Sequence, residues 1–323
     1  MRKRNILAIV TVTGAALAIA LCCFCKKKDL PLVAIANYGP HASLEASIRG
    51  TKMELEEQGF VENKNIRYEI ADVGFDAALI PQMITKLRAA DPKVMLVKAT
   101  PIAQFAKGKI HDIPLVFCDI TDPVSAGLVN DASMSHENVT GSSDRGDLGA
   151  LLNFVKTILP NARTVGLLYS TSESNDAALV SMMKAAAAAA QLSVVAIPVD
   201  QSRDIPLRMQ QFRGRVDFIY VGTSGPIQPA LPTIATEAEK MGIPVFNAED
   251  QAVQDGLALA SFGVNYELVG RNAGKLIAQL LKDEDIKNLP PLFLKAEHHK
   301  CYINRKLAEK FKIQIPKNVT VVK

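Results

Sequence analysis

The chain has 323 residues, about twice the usual size of a domain, and 48% of them are hydrophobic. These values predict a globular protein of two domains and exclude a disordered chain. The formal net charge is +4, but residues 1–28 hold six Lys or Arg and no acid, so the rest carries +4 less six, or −2. That charge excludes a basic surface for nucleic acid.

The N-terminal segment, residues 1–28, predicts export. Three basic residues precede an uncharged run at 5–25, which is the pattern of a secretory signal. Residues 19–21 resemble a lipobox, so Cys22 or Cys23 is a lipidation candidate and a membrane lipoprotein is one outcome. The run nearly reaches the length of a bilayer span, so an uncleaved anchor is the other. Both outcomes place the body in the cell envelope, outside the cytoplasmic membrane.

The first half of the body alternates short apolar runs with amphipathic segments. Residues 32–36, 66–70, 94–97 and 113–118 are predicted strands. Residues 43–58 and 77–90 are predicted helices, and a short helix follows Thr100-Pro101. The continuous apolar runs are typical of buried parallel strands.

The same alternation restarts after residue 150. Residues 164–169, 194–198, 218–221, 245–246 and 257–262 are predicted strands. Residues 151–159, 176–191, 205–212, 230–241, 266–281 and 305–311 are predicted helices. The segments 112–117 and 242–246 are similar, each a strand opened by Pro after a helix. This predicts an α/β fold of two lobes, each a parallel sheet flanked by helices.

The tail does not fit one further lobe, so we expect it to cross back. The predicted N-terminal lobe is 29–142 plus about 263–290. The predicted C-terminal lobe is 143–262 plus about 291–323. Crossing strands are expected near Gly141, Phe262 and Pro290.

Polar loops follow the predicted strands, at 37–41, 98–101, 119–123, 170–175, 222–226 and 247–250. In open parallel sheets, ligands bind beyond the carboxyl ends of the strands, so these loops predict an interlobe site. The candidate residues from the loops are Tyr38, Pro40, Asp122, Glu173, Ser224 and Glu249. Tyr38 would stack on a flat ligand, and the acids would pair with an ammonium group. Each loop taken alone is also explained by helix capping.

The run IPLVFCDITDPVSAGL at 113–128 resembles the signature of an ABC transporter substrate-binding family that includes the tryptophan/tyrosine-binding lipoproteins called TrpX-like. Further similar blocks lie at 59–66, 138–144, 159–169, 216–220 and 243–246. The resemblance runs from about residue 32 to residue 311. It implies a type I periplasmic-binding-protein fold that captures a small solute, such as an aromatic amino acid, and delivers it to an ABC permease with its ATPase subunits.

The resemblance also implies site residues. Carried over position by position, the cleft residues are Thr100, Thr121, Asp122, Ser170, Asn175, Thr223 and Glu249. Family members often carry Thr-Asp-Asn where this chain has Thr223-Ser224-Gly225, so an acid that would pair with a ligand ammonium is absent at 224.

Other functional classes are less well supported. The chain has no Gly-x-Ser-x-Gly elbow, no phosphate-binding Gly-Lys-Ser/Thr loop and no catalytic spacing among its five histidines, so we predict no catalytic residues and no cofactor. Cys118 and Cys301 are read as free thiols, and no spacing predicts a metal site. A membrane-tethered ligand-sensing receptor domain of the same fold is the alternative to a transport role.

Overall fold

The apolar runs of the first half form a five-stranded parallel sheet. The computed structural model describes residues 30–323. Its first five strands are β1 (Leu32–Asn37), β2 (Arg67–Asp72), β3 (Val94–Lys98), β4 (Leu115–Ile120) and β5 (Val139–Ser143). They lie in the order β2-β1-β3-β4-β5, and every pairing is parallel. Every residue of β1 and β4 is buried, as expected where helices cover both faces of a sheet.

Three amphipathic helices connect these strands. They are α1 (Ala42–Glu57), α2 (Ile80–Ala89) and α3 (Thr100–Lys107). Pro101 stands in the first turn of α3, where its missing N–H leaves no hydrogen bond unmade. The apolar side of α2 packs on the sheet through Ile80, Ile84 and Leu87.

The second half forms a seven-stranded sheet. Its strands are β6 (Thr164–Ser170), β7 (Ser193–Val199), β8 (Phe218–Val221), β9 (Val245–Asn247), β10 (Ala260–Gly263), β11 (Lys300–Asn304) and β12 (Thr320–Val322). The order is β12-β11-β10-β9-β8-β6-β7, and only the β10–β11 pair is antiparallel. The helices that follow β5 are α4 (Leu148–Ile158), α5 (Ser174–Ala189), α6 (Ile205–Met209), α7 (Leu231–Met241), α8 (Asp250–Gln254), α9 (Tyr266–Leu281) and α10 (Arg305–Lys310). The predicted α/β class with two helix-flanked sheets is confirmed.

The chain crosses between the sheets more than once. Helix α9 follows β10 of the second sheet, yet Val269 and Ile277 pack with Val33 and other residues of the first sheet. The chain then returns, and β11 and β12 extend the second sheet. On the way Leu292 donates its N–H to the Gly141 carbonyl at 2.8 Å. We call the five-stranded sheet with α9 the first lobe, and the seven-stranded sheet the second.

Three observed strands have no counterpart among the predicted ones. Strand β5 reads VTGSS, β11 reads KCYIN, and β12 has only three residues. None is a continuous apolar run, because β5 is buried but built mainly of small and hydroxyl-bearing residues, whereas β11 and β12 lie at the edge of their sheet and are partly exposed. Strand β10 begins at Ala260, later than the predicted 257, because Leu257 and Ala258 donate their N–H groups to Ala252 instead.

Two cysteines lie within the described residues 30–323. Cys118 is buried, Cys301 is half-buried, and both are free thiols. No helix in this range has the length and apolar character needed to cross a membrane. The predicted export segment, with Cys22 and Cys23, lies outside the described residues.

Glycines allow α1 and α9 to touch backbone to backbone. A Cβ added at Gly270 would lie 1.9 Å from the Ser47 carbonyl oxygen. We therefore expect Gly270→Ala to lower the free energy of unfolding by about 1–3 kcal/mol through overpacking, although Ala is the better helix former. Urea unfolding measures the change. Gly146→Ala is the control, because an added Cβ there meets nothing within 4 Å. Equal stability of both variants would contradict the packing.

Candidate ligand-binding cleft

A cleft lies between the carboxyl ends of the two sheets. The first lobe contributes residues that follow β1, β3 and β4, and the second contributes residues that follow β6, β8 and β9. The cleft encloses about 520 Å³, counting its open mouth. The position of the cleft is the one expected of ligand sites in parallel α/β sheets.

Most of the candidate residues meet on the walls of this cleft. These are Tyr38, Thr100, Thr121, Glu173, Asn175, Thr223, Ser224 and Glu249. They come from loops as far apart in sequence as 38 and 249. The fold therefore brings together residues that the sequence placed after separate strands.

Three candidates do not line the cleft. Pro40 is exposed. The side chain of Asp122 caps the turn that follows it, since its Oδ1 accepts hydrogen bonds from the N–H groups of Val124 and Ser125, both at 3.1 Å. Ser170 is 2% exposed, and its hydroxyl is bonded to the Ser172 hydroxyl at 2.8 Å. For Asp122 and Ser170, local capping outweighs contact with a ligand.

The cleft also contains residues that were not among the candidates, notably His41, Phe75, Asp119, Asp144 and Tyr266. Asp119 stood in the polar loop expected at 119–123 but was not a candidate, and the structure places it inside β4. Asp144 follows β5, a strand that the pattern did not predict, and Tyr266 enters through the crossing of α9. A carboxylate directly after Cys118, at the end of a buried run, was the one available signal for Asp119.

One wall of the cleft is aromatic. The rings of Tyr38 and Phe75 meet edge to face, with centroids 5.6 Å apart and planes at 85°. Tyr38 is buried, and burial raises the pKa of its hydroxyl far above the usual range. The neutral ring is therefore a flat apolar surface with a hydrogen-bonding tip.

The two lobes touch across the cleft. The Thr121 and Thr223 hydroxyls lie 3.3 Å apart, and the Ser174 hydroxyl donates to Gln104 Oε1 at 3.1 Å. Tyr38 also reaches the second lobe, since a Cβ added at Gly225 would lie 2.8 Å from its ring. The lobes are therefore closed on one another.

Glu173 places a carboxylate beside the loop that holds Ser224 and Gly225. Its Oε2 accepts from the Gly225 N–H at 3.2 Å and from Asn175 Nδ2 at 3.3 Å, while Oε1 has no hydrogen-bond partner. A side chain at 225 would meet this carboxylate at 2.7 Å, so Gly leaves the room it needs. Ser224 instead donates its hydroxyl to Asp176 Oδ2 at 2.7 Å. Glu173 thus places a carboxylate next to Gly225 on the cleft wall.

Asp119 is held by a buried cation. Lys98 Nζ contacts both Asp119 Oδ2 and Ser47 Oγ, and the Ser47 hydroxyl bonds to Asp119 Oδ2 at 2.8 Å. Lys98 is 0% exposed. Ala99 and Asp119 have positive φ values, 67° and 59°, which is backbone strain of the kind found at binding sites.

Asp144 and Glu249 add two further buried carboxyls. Burial, with Asp119 nearby, raises the pKa of Asp144 to about 7. Burial, with Asp144, Asp250 and Asp119 nearby, raises the pKa of Glu249 to about 7. Despite these acids, no three His, Cys, Asp or Glu side chains within residues 30–323 are placed to hold a metal ion.

These raised pKa values make stability depend on pH. A carboxyl with a pKa near 7 in the folded state and near 4 when unfolded takes up a proton on folding between these pH values, so stability falls as pH rises from about 4 to 7. We expect Asp144→Asn to reduce this pH-dependent loss of stability by about 1 kcal/mol or more. Melting temperatures of both proteins between pH 5 and 8 test this.

The contribution of Asp144 is the difference between wild type and variant in how the melting temperature changes with pH. Burial lowers the pKa of His41, which opposes the carboxyls as pH drops below about 6.5, and this contribution cancels between wild type and variant. Parallel curves would show that Asp144 does not titrate in this window.

The chain is similar to known proteins along most of its length. The sequence profile of a family described as ABC transporter substrate binding protein matches residues 32–323. A relative named tyrosine-binding protein, from Clostridioides difficile (strain R20291), is 29% identical over 258 residues, which is 80% of this chain and 74% of the relative.

Two solved structures resemble this one. An ABC domain from Streptococcus pneumonia in complex with L-Trp has a TM-score of 0.85 at 27% identity, over 91% of this chain and 100% of that one. The ligand-free, open structure of a substrate-binding protein with adhesive properties from Clostridium difficile has a TM-score of 0.72 at 27% identity, over 91% and 99%. Sequence identity and coverage are nearly the same for these two structures, so the difference between their TM-scores reflects a difference in backbone geometry.

Proposed function

Because this chain belongs to the family of ABC transporter substrate-binding proteins, as its sequence signature indicated, we propose that it captures a small solute outside the cytoplasmic membrane and delivers it to a permease. The permease would work with its ATPase subunits. The solute would bind in the interlobe cleft, in contact with both lobes. The fold agrees with this role, since type I periplasmic-binding proteins place two α/β lobes around such a cleft.

The observation that carries the proposal is the cleft itself, closed and lined from both lobes. Thr121 and Thr223 meet across it, and the structure is more similar to the L-Trp complex than to the open, ligand-free relative. A solute that contacts both lobes stabilises the closed form over the open one. A permease that recognises the closed form would then receive only loaded protein.

The first candidate solute is an aromatic amino acid. The named relative is a tyrosine-binding protein and one similar structure holds L-Trp. In this chain Tyr38 and Phe75 offer an aromatic wall, and the free oxygen of Glu173 is an acceptor for an ammonium group. We propose as ligand contacts the eight candidate residues that line the cleft, together with Asp119, Asp144 and Phe75.

Membrane tethering belongs to the same proposal. Lipidation at Cys22 or Cys23, or retention of residues 1–28 as an anchor, would hold the protein beside its permease. The mass of the mature protein separates the two outcomes, because lipidation follows cleavage before the cysteine and an anchor retains Met1 or Arg2.

A thermal-shift experiment tests solute binding. Tryptophan, tyrosine or phenylalanine at about a hundred times its Kd should stabilise the folded state by about 2.7 kcal/mol and raise the melting temperature by several degrees. Alanine, which lacks the aromatic ring, is the matched ligand control. If no aromatic amino acid raises the melting temperature more than alanine does, the proposed solute class is wrong.

A further inference from the structure

The charged side chains on the cleft wall are nearly all acidic. Asp119, Asp144, Glu173 and Glu249 line the cleft, and no Lys or Arg within the described residues does so. All four acids are at least nine-tenths buried. Such a concentration of carboxyls in a partly closed, low-dielectric space creates a negative potential.

The nearby basic groups do not neutralise this charge. Lys98 is fully buried behind the wall, and its ammonium is bonded to Asp119 and Ser47. His41 lines the cleft with Nδ1 3.7 Å from Glu249 Oε1, but burial lowers its pKa, so the ring is neutral at pH 7. Lys98 thus compensates Asp119 alone, and no cation within residues 30–323 is paired with the other three acids, whose raised pKa values show that their ionised forms are poorly stabilised.

Two of these carboxyls have an oxygen with no hydrogen-bond partner. Asp144 is 4% exposed and Glu173 is 6% exposed, and their Oδ1 and Oε1 atoms have no partner at hydrogen-bond distance, with the Tyr38 hydroxyl as a polar neighbour acting on the Glu173 carboxylate. An unpaired carboxylate oxygen that is buried is costly unless a ligand satisfies it. Asp144 Oδ2 has only the Tyr266 hydroxyl, at 3.5 Å. Both unpaired oxygens can accept a hydrogen bond from a ligand, and a protonated amine has three N–H donors.

The cleft wall would bind a carboxylate group of the ligand less favourably than an amine. The donors on the wall are neutral hydroxyls such as Ser43, Thr100 and Thr121, and none carries a positive charge. A ligand carboxylate would lie among these carboxyls, where it would be repelled by those that are ionised and would further disfavour ionisation of the others. The aromatic wall of Tyr38 and Phe75 interacts with the rest of the ligand without regard to charge.

We propose that the cleft selects a small cationic amine with a flat apolar group, and that the ligand does not need a carboxylate. This inference rests on the proposed solute-binding function and narrows its substrate class. The amine lies against Glu173 and Asp144, and the ring lies against Tyr38 and Phe75. Aromatic amino acids bind through the same two groups, with their carboxylate as a tolerated addition.

Titration calorimetry of the purified protein with three compound types tests the inference. Tyramine and tryptamine carry the amine alone, tyrosine and tryptophan carry both groups, and the corresponding arylpropionates carry the carboxylate alone. The amines should bind as tightly as the amino acids or more tightly, and the arylpropionates at least about tenfold more weakly than either.

Two outcomes would overturn it. If the amino acids bind and the amines bind more than about tenfold more weakly, the ligand carboxylate is required, and solute binding stands without this inference. If none of the six compounds binds, the inference fails together with the aromatic solute class.

Discussion

Replacing Lys98 with Met should destabilise the protein more than any other single change described here. Met keeps the apolar stem of Lys98 but leaves the Asp119 carboxylate buried without its cation. Breaking a buried ion pair by removing one partner costs about 3–5 kcal/mol. For a chain of this size the melting temperature should fall by roughly 10 °C, measured by circular dichroism.

A double variant separates charge from packing. Asp119→Asn added to Lys98→Met removes the unpaired charge and should recover part of the loss. Asn also tolerates the positive φ of 59° at this position, so the backbone is not a confounding factor. Lys93→Met is the control, because Lys93 and Asp283 form an exposed pair 2.9 Å apart, and such pairs contribute little. Equal losses in the Lys98 and Lys93 variants would contradict the argument.

The second large effect is expected at Glu173. Glu173→Gln keeps the shape of the side chain but removes its negative charge. A hydrogen bond to a charged group contributes about 1.5–3 kcal/mol, so affinity for an amine-bearing solute should fall roughly tenfold to a hundredfold. Calorimetric titration measures the change.

Stability should respond differently from affinity in this variant. Burial raises the pKa of Glu173 above its usual range, so the charge opposes folding and its removal should not lower the melting temperature. Glu56→Gln, an exposed change on α1, is the matched control and should alter neither quantity. An affinity within twofold of wild type would exclude Glu173 as the ammonium partner.

The sequence predicted the scaffold better than the site. Continuous apolar runs such as 32–36 and 113–118 mark buried strands because both faces of a parallel sheet are covered. Strands β5 and β11 lack such runs, because β5 is buried through small and hydroxyl-bearing residues and β11 is only half buried. The pattern of apolar runs therefore does not identify them.

At the site, the loop after each strand could be predicted but not the role of each residue in it. Asp122 and Ser170 stand in the expected loops, and only the structure shows that their polar atoms are engaged in local hydrogen bonds. Asp144 follows a strand that was not predicted, and so was missed. The contact of Glu173 with Gly225 depends on the distance between two loops, which sequence alone does not give.

Small-angle X-ray scattering tests most directly whether a solute closes the two lobes. With saturating tryptophan or tyrosine, or the ligand that calorimetry identifies, the radius of gyration of the purified protein should fall to the value calculated for the closed structure. Without ligand it should be larger, as expected if the empty cleft opens. If the heat of binding shows that the site is saturated and the radius of gyration does not change, capture between the lobes is contradicted.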